Sequence, residues 1–368
     1  VSGRRPPYTA IVAGLPATVP FVGPEAIERR TGRGFVLRLG ANESLFGVAP
    51  GVAAAMAAEL ARVGWYGDPE AFAIRARLAA LHGGRPVDSL VMGAGIDELL
   101  GVIVRLVTEP GDPVVTSAGA YPTFNYHVAG FGGRLVAVPY RDDREDLDAL
   151  AEAVHREGAK LVYVSNPDNP MGSWHEAGAL EAFVGKLPEA VLVILDEAYA
   201  EFAPPAALLP EGFADPRVIR LRTFSKAQGL AGLRIGYAMA DPAVIQAIGK
   251  IRNHFGVNRF AQAAAMAALD DPLFTAGVVA EVERGRAAYA TLARDCGCEP
   301  LGSATNFVTI DVGGPARARA ILQALEAERV FIRMPGVSPL DRCLRVTVGP
   351  AADRARFAEI FRAVTRRI

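Results

Sequence analysis

Six short apolar runs recur along the middle of the chain: Pro113 to Ser117, Arg134 to Val138, Lys160 to Ser165, Val191 to Leu195, Val218 to Arg222 and Ile235 to Met239. Helical stretches fall between most of them. Such runs lack the alternation of a half-solvated strand and read as strands buried on both faces. The rhythm predicts an α/β fold with a mostly parallel central sheet covered by helices. In such sheets ligand groups gather at the carboxyl ends of the strands.

The flanks differ from this centre. Residues 1 to about 45 read as irregular, because Pro6, Pro7, Pro16, Pro20 and Pro24 interrupt any long helix; Glu25 to Arg30 is the exception. Ala-rich helices are expected over 51–62 and 70–82. Beyond about residue 241 helices dominate up to Cys296. Strands at Asn306 to Asp311, Val330 to Arg333 and Cys343 to Val348 then alternate with helices at 315–328 and 353–367. The expected division is an arm over 1–45 that joins the small domain, a large ligand-binding domain over 46–250, and a small α+β domain over 251–368.

Composition excludes several classes. Of 368 residues, 51% are apolar and 21% charged, and the net charge is -1, so no basic excess points to nucleic acid. No apolar run is long enough to span a membrane. The three cysteines, Cys296, Cys298 and Cys343, form no disulfide framework and no metal-ligand pattern. With no signal-peptide pattern, a cytoplasmic enzyme is expected.

The chemistry concentrates in Thr223-Phe224-Ser225-Lys226, followed by a glycine-rich turn and Arg234. A lysine among small residues can reach an aldehyde, while Thr223, Ser225 and Arg234 can hold a phosphate. Aldehyde plus phosphate describes pyridoxal 5'-phosphate, with Lys226 as the Schiff-base lysine and proton carrier. Gly93-Ala94-Gly95-Ile96-Asp97 feeds a helix, and the free amides near Gly95, Ile96 and Asp97 suit the same phosphate. Asp196, at a strand end, is the carboxylate for a protonated pyridine nitrogen. Tyr199 and Asn169 can bond the ring's phenolic oxygen, and Phe124 can stack on the ring. A metal site or Walker-type carboxylate is the rival for Asp196-Glu197, but no Walker A sequence accompanies it.

In this order the motifs resemble the fold-type I, pyridoxal-phosphate-dependent aminotransferases of class I/II, and within them the histidinol-phosphate branch. The matching segments include Asn42-Glu43, Tyr66 with Asp68, Pro122-Thr123-Phe124, Asn166 to Gly172, Asp196 to Tyr199, Ser225-Lys226 to Arg234 and Leu344 to Gly349. The resemblance implies that Arg345 grips the substrate's anionic group and that Arg333 contacts a substrate phosphate, with Asn42 and Phe21 also against the substrate. It implies that Tyr66 reaches the cofactor phosphate of a neighbouring subunit, hence a homodimer. Ile96, Met171 and Gly67 depart from the family pattern. So does Phe21, which stands where the branch often carries a tyrosine and so lacks the hydroxyl.

The expected reaction is transamination from an amino donor, L-histidinol phosphate first, to a 2-oxo acid such as 2-oxoglutarate. An aromatic or other amino acid, its carboxylate on Arg345, is the alternative donor. A lyase of the same fold, such as a phosphothreonine decarboxylase, would use the same lysine, aspartate and arginine. A regulator that keeps the fold without catalysis would leave this complete set of cofactor residues unused.

Overall fold

The computed structural model describes residues 7–16 and 21–368. Pro6, Val19 and Pro20 of the expected arm lie outside the described residues. The expected strands form within two residues of their expected bounds, and Leu90–Gly93, which sequence reading left unassigned, completes a seven-stranded sheet. Its order is Leu90–Gly93, Gly236–Met239, Val218–Thr223, Leu192–Asp196, Leu161–Ser165, Pro113–Ser117, Arg134–Val138. Every neighbouring pair is parallel except those made by Gly236–Met239, which runs against both of its partners.

Adjacent residues on these strands feed opposite faces, as the two-residue period requires. Val114, Tyr163, Ile194 and Ile219 pack under the helices Ile96–Val107 and Pro122–Gly130. Val115, Val162, Val164, Val193 and Leu195 pack on the other face, against Leu147–Glu157 and Ala177–Lys186. The helices Pro50–Glu59, Phe72–Leu81 and Arg259–Leu269 close over Leu90, Met92 and Met239 at the sheet's edge.

A second core surrounds the antiparallel strands Phe307–Asp311 and Cys343–Thr347 with the helices Pro272–Asp295, Pro315–Ala327 and Ala351–Thr365. Leu37–Arg38 joins it by pairing in parallel with Val330–Phe331. This core also takes in Tyr199 and Ala227 from the loops of the large sheet. The two packing units therefore meet at the carboxyl ends of the parallel strands.

Directly after Leu192–Asp196, Glu197 turns back into the sheet. Its side chain is 1% exposed and meets the Arg220 and Arg222 guanidinium groups, both at 2.9 Å. The two arginines hold its carboxyl below the usual range although burial pushes the other way. Removing one partner of a buried charge cluster strands the others. Glu197→Ala is expected to lower unfolding free energy by about 3–5 kcal/mol in chemical denaturation. A loss under about 1 kcal/mol would show that the arginines find other partners.

Candidate active site

A cavity of about 700 Å³ opens at the carboxyl ends of the parallel strands, where the two cores meet. Its wall gathers Ile96, Asp97, Asn169, Asp196, Tyr199, Thr223, Ser225, Lys226 and Arg234, with Phe21, Asn42, Arg333 and Arg345 at the far side. Thirteen of the sequence-derived site residues thus share one space. Gly95, Phe124 and Tyr66 do not line it.

The strand directions explain the gathering. Asp196 ends one parallel strand, and Thr223 ends the next. Gly236–Met239 is reversed, so the residues before it, Arg234 included, arrive at the same end of the sheet. Arg234 takes a left-handed conformation with φ 56° and bonds the Asp97 Oδ2 atom at 3.3 Å through Nη2. Gly95, at φ 81°, caps the helix Ile96–Val107 without a side chain, so the first-turn amides face the cavity uncapped. A Cβ on Gly95 would come within 2.5 Å of the Arg234 guanidinium. Gly95 is therefore in the site as a permitted close approach.

Thr223 Oγ1 donates to Ser225 Oγ at 2.9 Å and accepts from the Ser225 amide at 3.0 Å. The Ser225 hydroxyl hydrogen is thereby left for a further acceptor. The helix amides, Arg234 and the Ser225 hydroxyl, which Thr223 orients, form a cup of donors that fits a phosphate dianion.

At the other end of the cavity lies Asp196, buried and bonded by the Tyr163 hydroxyl at 2.7 Å and the Ala198 amide at 3.0 Å. Burial pushes its carboxyl up to about 6. A buried carboxylate of this kind is stabilised by a cation, which a protonated pyridine nitrogen supplies. Lys226 Nζ donates to the Asn42 carbonyl at 2.9 Å. Burial first, and then the Arg345 charge, bring its ammonium down to about 8. The donor set fits pyridoxal phosphate: phosphate at the helix start, nitrogen at Asp196, aldehyde at Lys226.

Phe124 is the site residue that the structure moves. It sits one turn into the helix Pro122–Gly130, fully buried, and stacks on Tyr163 with centroids 4.5 Å apart. It lies beneath the cavity floor. Tyr121, the residue just before that helix, lines the cavity instead, and its hydroxyl donates to Asp97 Oδ1 at 2.9 Å. Sequence reading missed it and Tyr163. No periodicity within that motif separates the two rings; it is the packing of the helix Pro122–Gly130 that turns Phe124 into the core against Tyr163. Tyr66 is 76% exposed, tilted against Phe255 and away from this cavity.

On the substrate side, Arg333 and Arg345 are bridged backbone to backbone, with Arg345 N donating to Arg333 O at 2.7 Å. Residues directly opposite in an antiparallel pair point to the same face. Arg345 donates to Asn169 Oδ1 and, at 2.9 Å, to the Gly40 carbonyl; its Nε has no partner among the described residues. Burial brings it down to about 10. Arg333 lies 4.2 Å from the Phe21 ring centroid and donates to the Val22 carbonyl at 3.2 Å. Neither arginine pairs with a carboxylate among the described residues. Asn42 lines the cavity, but its amide is committed to Tyr199 and Thr347 rather than left open for a substrate.

Among the described residues no group of His, Cys, Asp and Glu could hold a metal ion, and no single helix is long and apolar enough to cross a membrane.

The mostly parallel sheet, the lysine on its edge and the paired phosphate cup define the fold-type I class of pyridoxal-phosphate enzymes. Within that class, the chain belongs to the aminotransferase class I and II family, whose model matches residues 35–364. It is 37% identical over 344 residues to histidinol-phosphate aminotransferase 2 of Carboxydothermus hydrogenoformans, covering 92% of this chain and 94% of that one. It is 37% identical to histidinol-phosphate aminotransferase of Roseiflexus castenholzii, covering 96% of each. Among solved structures, histidinol-phosphate aminotransferase from Sinorhizobium meliloti, in complex with pyridoxal-5'-phosphate, matches with TM-score 0.95 and 51% identity over 99% of both chains. Thermus thermophilus aspartate aminotransferase with maleate shares the fold, with TM-score 0.81 at 20% identity over 98% of this chain and all of that one.

The exchange of Tyr121 for Phe124 at the cavity gives opposite expectations for two variants. Tyr121→Ala should weaken pyridoxal phosphate binding about tenfold, as loss of a stacked ring does, and leave the melting temperature nearly unchanged. Phe124→Ala should cost about 3–5 kcal/mol of stability through the cavity it leaves. Cofactor titration and thermal melts check both, and the reverse pattern would return the stacking role to Phe124.

Proposed function

We propose that the chain is a pyridoxal-phosphate-dependent aminotransferase that passes the amino group of L-histidinol phosphate to a 2-oxo acid such as 2-oxoglutarate. The observation that carries the substrate is the pair Arg333 and Arg345, bridged to each other and both lining the cavity, with no carboxylate paired to either among the described residues. L-Histidinol phosphate has a phosphate dianion and no carboxylate, which suits two guanidinium groups. The relatives and the solved neighbour of high identity carry that substrate in their names.

Pyridoxal phosphate, when bound, supplies an electron-withdrawing ring for the carbon that loses its proton. The chain's residues do the rest. Lys226, with its pKa near 8, offers roughly 300-fold more neutral amine at pH 7 than an ordinary lysine. It can therefore act as nucleophile and as the base that takes and returns a proton. Of the cavity-lining residues, Asp196 would keep the ring nitrogen protonated, Tyr199 and Asn169 would serve the ring oxygen, and Tyr121 would cover the ring. Arg345 and Arg333 orient the donor. Phe21 has no hydroxyl and offers its ring face to the Arg333 guanidinium instead.

We also place the chain in a cytoplasmic homodimer. Leu60, Val63, Trp65, Tyr66 and Phe72 expose apolar surface within one stretch, as an interface does. Tyr66 would then serve the neighbour's phosphate cup. A phosphorylated substrate and three free thiols suit the cytoplasm. Leu37–Arg38, bonded to Val330–Phe331, would move with a small unit that begins near Pro272; the expected boundary at 251 falls too early, because Arg259–Leu269 packs on the large sheet beside Pro50–Glu59.

The test is a half-reaction followed by the cofactor's visible absorbance. L-Histidinol phosphate should convert the loaded enzyme, and Lys226→Ala should slow it by about a thousandfold or more. Arg333→Met should raise the KM for that donor about ten- to a hundredfold and leave phenylalanine nearly unaffected. Faster conversion by phenylalanine than by L-histidinol phosphate would favour an aromatic amino acid as donor, with Phe21 shaping its pocket.

A further inference from the structure

Asn42 sits where the arm, the small sheet and the lysine loop meet, and each of its polar groups has a partner. It takes the left-handed region at φ 55°, which asparagine tolerates better than most side chains. Its carbonyl accepts from Lys226 Nζ at 2.9 Å and from Asn306 Nδ2 at 3.0 Å. Its amide N–H donates to Thr347 Oγ1 at 3.1 Å. Its side chain spans the gap between Thr347 Oγ1, at 3.1 Å from Oδ1, and the Tyr199 hydroxyl, at 2.9 Å from Nδ2.

Hydrogen-bond direction follows from these contacts. Thr347 is 1% exposed, and among the described residues its hydroxyl hydrogen meets one acceptor, Asn42 Oδ1. A flipped amide would set Nδ2 against that hydroxyl and leave its hydrogen without an acceptor, which is costly in a buried site. The amide is therefore locked with Nδ2 toward Tyr199. The phenol oxygen accepts from it, and the phenol hydrogen must point elsewhere. Tyr199 has no other hydrogen-bond partner among the described residues, and it lines the cavity.

We propose that Asn42, locked by Thr347, is a positioning residue that turns the Tyr199 hydroxyl hydrogen into the cavity, where it donates to the cofactor's ring oxygen. This goes beyond a contact between Asn42 and substrate. It rests on the pyridoxal phosphate reading above. Charged groups acting on Tyr199 from the elements around it are Arg345, Asp196 and Asp168, and Lys226 Nζ lies 5.7 Å from its ring centroid. None of them bonds the hydroxyl.

With the cofactor bound, a donor from Tyr199 would draw electron density from the ring oxygen and ease loss of the proton held near Lys226. Losing the donor would raise the pH at which the visible band of the loaded enzyme changes. Asn42→Asp keeps the shape and the left-handed backbone but puts an acceptor against Tyr199, drawing the hydrogen away from the cavity. The loaded wild-type, Asn42→Asp, Tyr199→Phe and doubly substituted enzymes are titrated spectroscopically. Asn42→Asp and Tyr199→Phe should each raise the midpoint by about one unit, and the double variant should lie close to Tyr199→Phe alone. Thr347→Val, which frees the amide to flip, should raise it by a smaller amount.

An unmoved midpoint in Asn42→Asp would overturn the proposal. So would an Asn42→Asp shift of equal size with Phe at 199, because the added charge would then act without the tyrosine. An unmoved Thr347→Val midpoint would overturn the lock. A wild-type protein with no visible band would contradict the cofactor reading itself, a separate outcome.

Discussion

The buried cluster of Glu197 with Arg220 and Arg222 fixes the edge on which the site is built. It joins the end of Leu192–Asp196 to Val218–Thr223, and the Glu197 amide adds a bond to the Leu221 carbonyl at 2.8 Å. Asp196 is the residue before Glu197, and Lys226 follows the Val218–Thr223 strand by three positions. Clamping these two strand ends sets the distance between the carboxylate and the lysine. A less constrained loop could not hold a nucleophile and a counter-charge at opposite ends of one small ring.

The site is assembled from parts of different origin. The large sheet provides the carboxylate, the lysine and the phosphate cup. The small sheet provides Arg345 and Arg333, and the arm provides Asn42 and Phe21. Burial at the junction changes the behaviour of the charged groups: the Lys226 ammonium is lowered, the Asp196 carboxyl is raised, and Arg345 is left short of partners. Each change favours a ligand that restores the missing charge: an anion at the arginines and a cation at the aspartate.

Much of this was legible in the sequence. The parallel sheet follows from unalternated apolar runs, and the lysine loop from hydroxyls and an arginine at fixed offsets. Other features were not legible. The reversal of Gly236–Met239 was hidden because a strand buried on both faces reads the same in either direction, yet it is what brings Arg234 beside Asp97 at the cavity end of the sheet. Which ring lines the cavity was also hidden, because Tyr121 and Phe124 lie in one motif and the helix that starts at Pro122 carries Phe124 into the core while Tyr121 stays on the cavity wall. Asn42 was readable as a site residue, but its role depends on contacts 305 and 157 positions away in the chain, which no local pattern records.

The most direct measurement is a crystal structure of the protein with pyridoxal phosphate and L-histidinol phosphate, in a Lys226→Ala variant that holds both. The phosphate of the cofactor should lie on the Ile96 and Asp97 amides with Arg234 and Ser225, its ring nitrogen on Asp196 and its ring under Tyr121. The substrate phosphate should lie between Arg333 and Arg345. A cofactor anchored on the two arginines, or a ring nitrogen facing away from Asp196, would contradict the account.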